Sequence, residues 1–95
     1  MDAQLTKQTD LFDEIVVFAL VADKCSFTAA SAELGLTTAA VSISIKRLEA
    51  RMGVALFART TRSVRLTAAG TIFLKHVGKA ISQIEAGIRL ARDNA

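Results

Sequence analysis

The side chains best suited to chemistry in this sequence are cations and hydroxyls that cluster in one stretch. Between Thr38 and Leu66, six basic residues accompany a single acid, Glu49, so this stretch carries a net charge of +5 while the rest of the 95-residue chain sums to −2. A basic segment in an otherwise near-neutral protein is the pattern expected for a polyanionic partner. A solvated basic surface without a partner is the alternative that charge alone leaves open.

Residue types that other chemistries need are scarce. The chain has one cysteine, Cys25, and one histidine, His76, so it predicts no disulfide, no metal site and no nucleophile–base pair, and we expect neither an enzyme nor a bound cofactor. The single thiol fits a reducing cytoplasm. The longest apolar run, Ile15 to Ala22, is too short to span a bilayer, so no membrane partner is expected.

Helix signals divide the first half of the chain into three segments. Hydroxyl or acidic side chains predict helix starts, and glycines predict helix ends. We expect a first helix after Asp10, a second from Phe27 to Leu34 between Ser26 and Gly35, and a third from about Thr38 to Met52 that is capped by Thr37 or Thr38.

Packing expectations follow from the spacing of small and apolar residues. The third segment has one apolar stripe to bury, formed by Val41, Ile45, Leu48 and Met52. We expect close contact between the second and third helices through Ala29, Ala30 and Ala32, with Leu36 pointing inward from the turn between them.

The second half of the chain predicts a hairpin and a long helix. Two short β-prone runs flank a polar, basic tip between Arg59 and Arg65. Thr67 then caps a helix from Ala68 to about Arg92, which would extend nearly 40 Å at about 1.5 Å per residue. A helix that outruns so small a core usually packs on a partner helix, so we expect a dimer interface along its apolar stripe of Phe73, Val77, Ile81, Ile84 and Ile88.

The resulting architecture is mainly α, with three helices and a two-stranded wing in residues 1–67 and a linker or dimerisation helix in residues 68–95. This order of elements is typical of a winged helix-turn-helix, whose third helix enters the DNA major groove. The wing, residues 59–65, would lie at the minor groove or the backbone. We expect DNA contacts from Ser26, Thr28, Thr37, Thr38, Ala39, Ser42, Ile43, Lys46, Arg51, Arg59 and Arg62.

Several of these residues have a second interpretation. Ser26 could serve only as a helix cap, and Arg59 could pair with a carboxylate or hold the hairpin together. Ile43 could touch a thymine methyl group or merely face the groove. Arg51 and Arg65 suit phosphates, which position a protein on DNA without specifying sequence.

Ordered sequence blocks resemble the DNA-binding region of LysR-type transcriptional regulators. Ser26-Phe27-Thr28-Ala29-Ala30 looks like their second helix, and Thr37-Thr38-Ala39-Ala40-Val41-Ser42 followed by Ile45-Lys46-Arg47-Leu48-Glu49 looks like their recognition helix. Leu56-Phe57-Ala58-Arg59 and Leu66-Thr67-Ala68-Ala69-Gly70 resemble the wing and the start of the linker helix.

The resemblance implies a homodimer joined by antiparallel linker helices and bound to double-stranded promoter or operator DNA at an interrupted inverted repeat. It also implies an effector domain C-terminal to this chain, higher oligomers in a full-length protein, and a chain that is a fragment of a longer regulator. Thr38 and Ala39 stand where the family often has Gln and Pro, and Ile43 stands where it often has a basic residue. The half-site sequence should therefore differ from that of better-known members.

A second function is open at this point. A winged helix can serve protein recognition, with its last helix recruiting a partner and its affinity for DNA incidental. Base-specific binding that depends on Lys46 and Arg62 would distinguish the two functions.

Overall fold

The elements follow one another in the predicted order. The computed structural model describes residues 3–60 and 63–95, with side chains from Asp10 onward. Its elements are α1 (Ala3–Lys24), α2 (Phe27–Leu34), α3 (Thr38–Met52), β1 (Phe57–Arg59), β2 (Val64–Leu66) and α4 (Ala68–Asp93). The mainly α winged helix-turn-helix architecture is confirmed.

Hydroxyl caps and left-handed glycines set most helix boundaries. Ser26, Thr37 and Thr67 precede α2, α3 and α4, and each hydroxyl oxygen accepts a hydrogen bond from the backbone N–H three residues later, at 3.0 Å. Gly35 (φ 68°) and Gly53 (φ 73°) end α2 and α3 in the left-handed region, which a residue without Cβ adopts at no steric cost.

The first helix begins earlier than predicted. It starts at Ala3, so Asp10 lies within α1 instead of capping it. The residues before Asp10 include Gln4, Lys7 and Gln8, which have high helix propensity, and no proline interrupts them. A potential capping side chain therefore did not mark the boundary here.

The core lies where α1 crosses the other elements. The Phe18 ring of α1 is fully buried, with its centroid 5.4 Å from that of Phe57 in β1 and 5.2 Å from that of Phe73 in α4. From α3 the stripe of Val41, Ile45 and Leu48 is fully buried, as predicted. One α1 side chain thus contacts both the wing and the last helix.

Two packing predictions at the edge of this core were wrong, and a third was confirmed only for Ala30. Of the alanines in α2 only Ala30 is buried, and Ser31 is buried beside it, because so short a helix presents a single face. Leu36 is exposed in the turn that ends α2, where its backbone N–H donates to the Ser31 carbonyl at 3.0 Å. Met52, in the last turn of α3, is exposed beyond the cover of neighbouring elements.

The wing is a two-stranded antiparallel hairpin joined to the start of α4. Phe57 pairs with Leu66 and Arg59 pairs with Val64, while the Thr60 N–H donates to the Ser63 carbonyl at 3.0 Å. Thr67 continues the connection, because its N–H donates to the Leu56 carbonyl at 2.9 Å. The wing and α4 therefore share one junction.

The last helix extends beyond the core. Its 26 residues would span about 39 Å at about 1.5 Å per residue. Phe73 and Val77 pack against the core, whereas Ile84 and Ile88 further along are exposed. Within residues 3–60 and 63–95, no helix combines the length and the apolar character that crossing a bilayer requires.

Gly70 provides the first testable consequence of this packing. A Cβ at this position would overlap the Leu56 carbonyl and approach Leu66 Cδ2 to 3.0 Å, so we expect Gly70→Ala to lower the free energy of unfolding by about 1–3 kcal/mol. Gly78 of the same helix has open space around it, and Gly78→Ala should raise stability by about 0.5–1 kcal/mol. Urea unfolding of both variants tests the contrast, and equal effects would contradict it.

Candidate nucleic-acid interface

The outward face of α3 presents small, polar and cationic groups. Thr38, Ala39 and Lys46 are exposed, Ser42 is half-buried, and Ile43 has 51% of its surface exposed. Ala39, Ile43 and Lys46 lie opposite the buried stripe of the same helix, and Thr38 and Ser42 lie along one edge of it. The face is therefore free to meet an external surface, and its small first turn lets that surface come close to the backbone.

The first turn of α3 is tied to α2 by two hydroxyls. Ser31 Oγ donates to the Thr28 carbonyl at 2.7 Å and lies 3.3 Å from Thr38 Oγ1. Because the Ser31 proton is already used, the Thr38 hydroxyl is the donor of this second bond. Thr38 is thereby left with lone pairs that can accept from an outside donor.

A polar groove separates the start of α2 from the wing. It encloses about 280 Å³, and its hydroxyl lining comes from Ser26, Thr28, Thr60 and Ser63. The Ser26 oxygen caps α2 and still carries a proton that it can donate, as does the capping Thr37 of α3. Helix N-termini favour anions, so both ends suit phosphate contacts.

Arg59 is held within the molecule by three neighbours. Its Nη1 donates to Ser42 Oγ at 3.3 Å, its Nη2 lies 3.8 Å from Glu49 Oε1, and its guanidinium carbon stands 4.6 Å from the centroid of the Phe27 ring. Pairing with a carboxylate, one of the roles considered from the sequence, is present in the structure. An arginine so engaged is less available to a phosphate.

Glu49 is a site residue that the sequence reasoning missed. Its Oε2 accepts from the backbone N–H groups of Leu56 (2.7 Å) and Phe57 (3.3 Å), so this carboxylate joins α3 to the start of β1. The sequence feature that could have identified Glu49 is that it is the single acid in the basic stretch between Thr38 and Leu66.

Arg51 has an internal partner, the buried Glu14 of α1. Its Nε donates to Glu14 Oε1 at 2.8 Å and its Nη2 to Glu14 Oε2 at 3.4 Å, and Glu14 of α1 is only 5% exposed. The sequence did not show this pairing, and a phosphate contact by Arg51 stays a prediction. Leaving a buried carboxylate unpaired is costly, and this pairing holds the last turn of α3 to α1.

The remaining arginines of the basic stretch lie on the wing and on α3. Arg65 is exposed on β2, opposite Ala58, where it can reach an outside anion. Arg62, predicted at the wing tip, lies outside the described residues. Arg47 is exposed on α3 beside Lys46.

The apolar stripe of α4 serves two different purposes along its length. Phe73 and Val77 pack inside the chain, and Ile81 is half-buried beside α1. A dimer contact at these three positions stays a prediction. Ile84 and Ile88 remain exposed. Only the distal part of the predicted stripe is free to meet another molecule.

Helix α1 adds apolar groups to that free surface. Phe12 and Val16 are exposed and line a cavity of about 250 Å³ that also contacts Ile81 and Ile84 of α4. The sequence placed both residues on an apolar face of α1 without showing that they would stay uncovered. Together with Ile88, Phe12, Val16 and Ile84 form the α1–α4 ridge.

Comparison with known families accounts for most of the described chain. The model of the family described as bacterial regulatory helix-turn-helix protein, lysR family, matches residues 12–71. That range runs from the middle of α1 through the wing to the first turn of α4. It confirms the resemblance found in the sequence.

Relatives with similar sequences are transcriptional regulators. The chain is 44% identical over 87 residues to the uncharacterized HTH-type transcriptional regulator y4mQ of Sinorhizobium fredii, covering 92% of this chain and 29% of that protein. It is 46% identical over 78 residues to the HTH-type transcriptional regulator AlsR of Bacillus subtilis, covering 82% and 26% respectively. The chain thus spans less than a third of the length of either relative.

Solved structures with the same fold include DNA complexes. The BenM_DBD/catB site 1 DNA complex matches with a TM-score of 0.79 at 26% identity, covering 85% of this chain and 91% of that one. The CbnR_DBD–DNA complex matches with a TM-score of 0.77 at 28% identity, covering 87% and 95%. The chain belongs to the LysR family of bacterial regulatory helix-turn-helix proteins, and it carries the family's DNA-binding domain.

Proposed function

We propose that this chain binds double-stranded DNA in a sequence-specific manner as the reading domain of a transcriptional regulator. The observation that carries the proposal is the outward face of α3, where Ser42, Ile43 and Lys46 stand clear of the core while neighbouring charges are paired internally. The BenM and CbnR domains that share this fold were solved as DNA complexes, which supports the same ligand here.

In the proposed complex α3 lies in the major groove. Small Ala39 lets the helix approach the base edges, Ile43 offers an apolar contact to a thymine methyl group, and Lys46 donates to a base or a phosphate. Thr38 accepts from a base donor with the lone pairs that its bond to Ser31 leaves free. These contacts would carry the sequence preference.

Phosphate contacts would set the register on either side of α3. Ser26 and Thr28 line the groove beside the wing, and Thr37 lies at the N-terminus of α3. The wing would follow the minor groove or the backbone through Arg62 and Arg65. Such contacts hold the domain on DNA without reading bases.

We also propose that two copies join through the α1–α4 ridge. The ridge is continuous across two helices and apolar, so a second copy could bury its four side chains in a symmetric contact. Two domains related in this way would read an interrupted inverted repeat in cytoplasmic DNA.

Replacing Lys46 tests the major-groove proposal. We expect Lys46→Ala to weaken binding to a selected operator by about 1–3 kcal/mol, because one charged contact is lost. Lys75→Ala removes the same charge from the exposed side of α4 and serves as the matched control. Fluorescence anisotropy over a salt series measures both variants.

Two results would count against this assignment. If Lys46→Ala and Lys75→Ala weakened binding equally, the contribution of Lys46 would be only its general charge. If the unmodified chain bound a selected operator no better than random duplex at moderate salt, the sequence-specific proposal would fail. DNA-independent capture of a partner protein by the same chain would then favour the protein-recognition function.

A pair of isoleucines on α4 tests the dimer. Ile84 is 63% exposed on the ridge, and Ile72 is 64% exposed about 120° away around the helix. We expect Ile84→Glu to yield a monomer in sedimentation velocity and Ile72→Glu to leave the dimer intact. A dimer that survives Ile84→Glu would refute the ridge as the interface.

A further inference from the structure

In the hydrogen bond between Arg59 and Ser42, the Ser42 hydroxyl is the acceptor. A guanidinium has donors and no acceptor, so at 3.3 Å Ser42 Oγ accepts from Nη1 and keeps its own proton. Among the described residues that proton has no acceptor, in contrast to Ser31, whose proton goes to the Thr28 carbonyl at 2.7 Å. Ser42 therefore faces outward with a proton to donate.

The guanidinium that imposes this direction is itself fixed. It stands 4.6 Å from the Phe27 ring centroid, and that ring lies 6.0 Å from the Phe57 ring in a T-shaped arrangement. Glu49, 3.8 Å from Arg59 Nη2, is in turn fixed by the Leu56 N–H at 2.7 Å. Elements α2, α3 and β1 thus all contribute to holding Arg59 beside Ser42.

A fixed cation behind a hydroxyl changes what that hydroxyl recognises. Accepting a charge-assisted hydrogen bond polarises the O–H group and makes it a stronger donor. The positive charge also disfavours an amino group placed opposite it. In the major groove guanine offers N7 and O6 as acceptors, adenine offers N7 and thymine offers O4, whereas cytosine offers its N4 amino donor.

We infer that Arg59 is a positioning residue for base recognition, which holds Ser42 as a hydrogen-bond donor and thereby selects against cytosine at the contacted position. The inference rests on the proposed placement of α3 in the major groove. It assigns different roles to two hydroxyls of α3, because Thr38 is left as an acceptor and Ser42 as a donor.

The test uses the 95-residue chain and a set of operator duplexes that carry each of the four bases at every half-site position. Ser42→Ala identifies the contacted position as the one whose base preference changes. At that position we expect the unmodified chain to bind the cytosine duplex about two- to tenfold more weakly than the best duplex. Arg59→Met, which keeps an apolar stem over Phe27, should reduce that discrimination to near unity.

Controls distinguish positioning from simple attraction to the backbone. Arg65→Met removes a cation from the other strand of the wing, and should weaken all duplexes alike without changing the base preference. Adding Arg59→Met to Ser42→Ala should cause no further change in preference, since both act on one contact. If Arg59→Met fails to show a cooperative thermal transition, Arg59→Gln replaces it. A neutral amide can accept from Ser42 as well as donate to it, so the same loss of discrimination is expected.

Two outcomes overturn the inference, and they differ from failure of the proposed function. If Ser42→Ala alters one position while the Arg59 variants leave that position unchanged and weaken every duplex equally, Arg59 is a phosphate contact. If the base selected against at that position is not cytosine, Ser42 is not held as a donor. Loss of all sequence preference in the unmodified chain would instead refute the proposed function itself.

Discussion

The Glu49 carboxylate joins α3 to the wing. Two backbone N–H groups at the start of β1 would otherwise be unsatisfied next to the core, and a single side chain of α3 accepts from both. The same carboxylate attracts Arg59, which leads to Ser42 and to Phe27 of α2. Without this anion, the links between α3 and the wing among the described residues would be the chain itself, the Arg59–Ser42 hydrogen bond and apolar contact, which has little directional preference.

Internal pairing also divides the cations of the basic stretch between Thr38 and Leu66. Glu14 engages Arg51 and Glu49 engages Arg59, so a stretch that reads as uniformly basic is divided into structural and outward-facing charges. The outward-facing charges include Lys46 on α3 and Arg65 on the wing. A strongly positive segment therefore need not expose all of its charge, and the electrostatic surface is smaller than the composition indicates.

Local patterns predicted the elements well, and long-range contacts accounted for the errors. The caps at Ser26, Thr37 and Thr67 follow from bonds spanning three residues, which a sequence displays directly. The Glu14–Arg51 pair spans 37 residues, so no local pattern could assign that arginine. For the same reason, the periodicity of α4 showed an apolar stripe but not that α1 covers its proximal half.

The close approach of Gly70 to Leu56 couples the orientation of α4 to that of the wing. The α4 backbone contacts the Leu56 carbonyl at the base of the wing without an intervening side chain. A tilt of α4 would therefore displace the wing. Because α4 is continuous from Ala68 to Asp93, a small change in its angle at the wing corresponds to a larger displacement at its far end. In the proposed dimer, which joins through the α1–α4 ridge, a change in the angle between the two α4 helices would therefore move each wing with it and alter the distance between the two α3 helices.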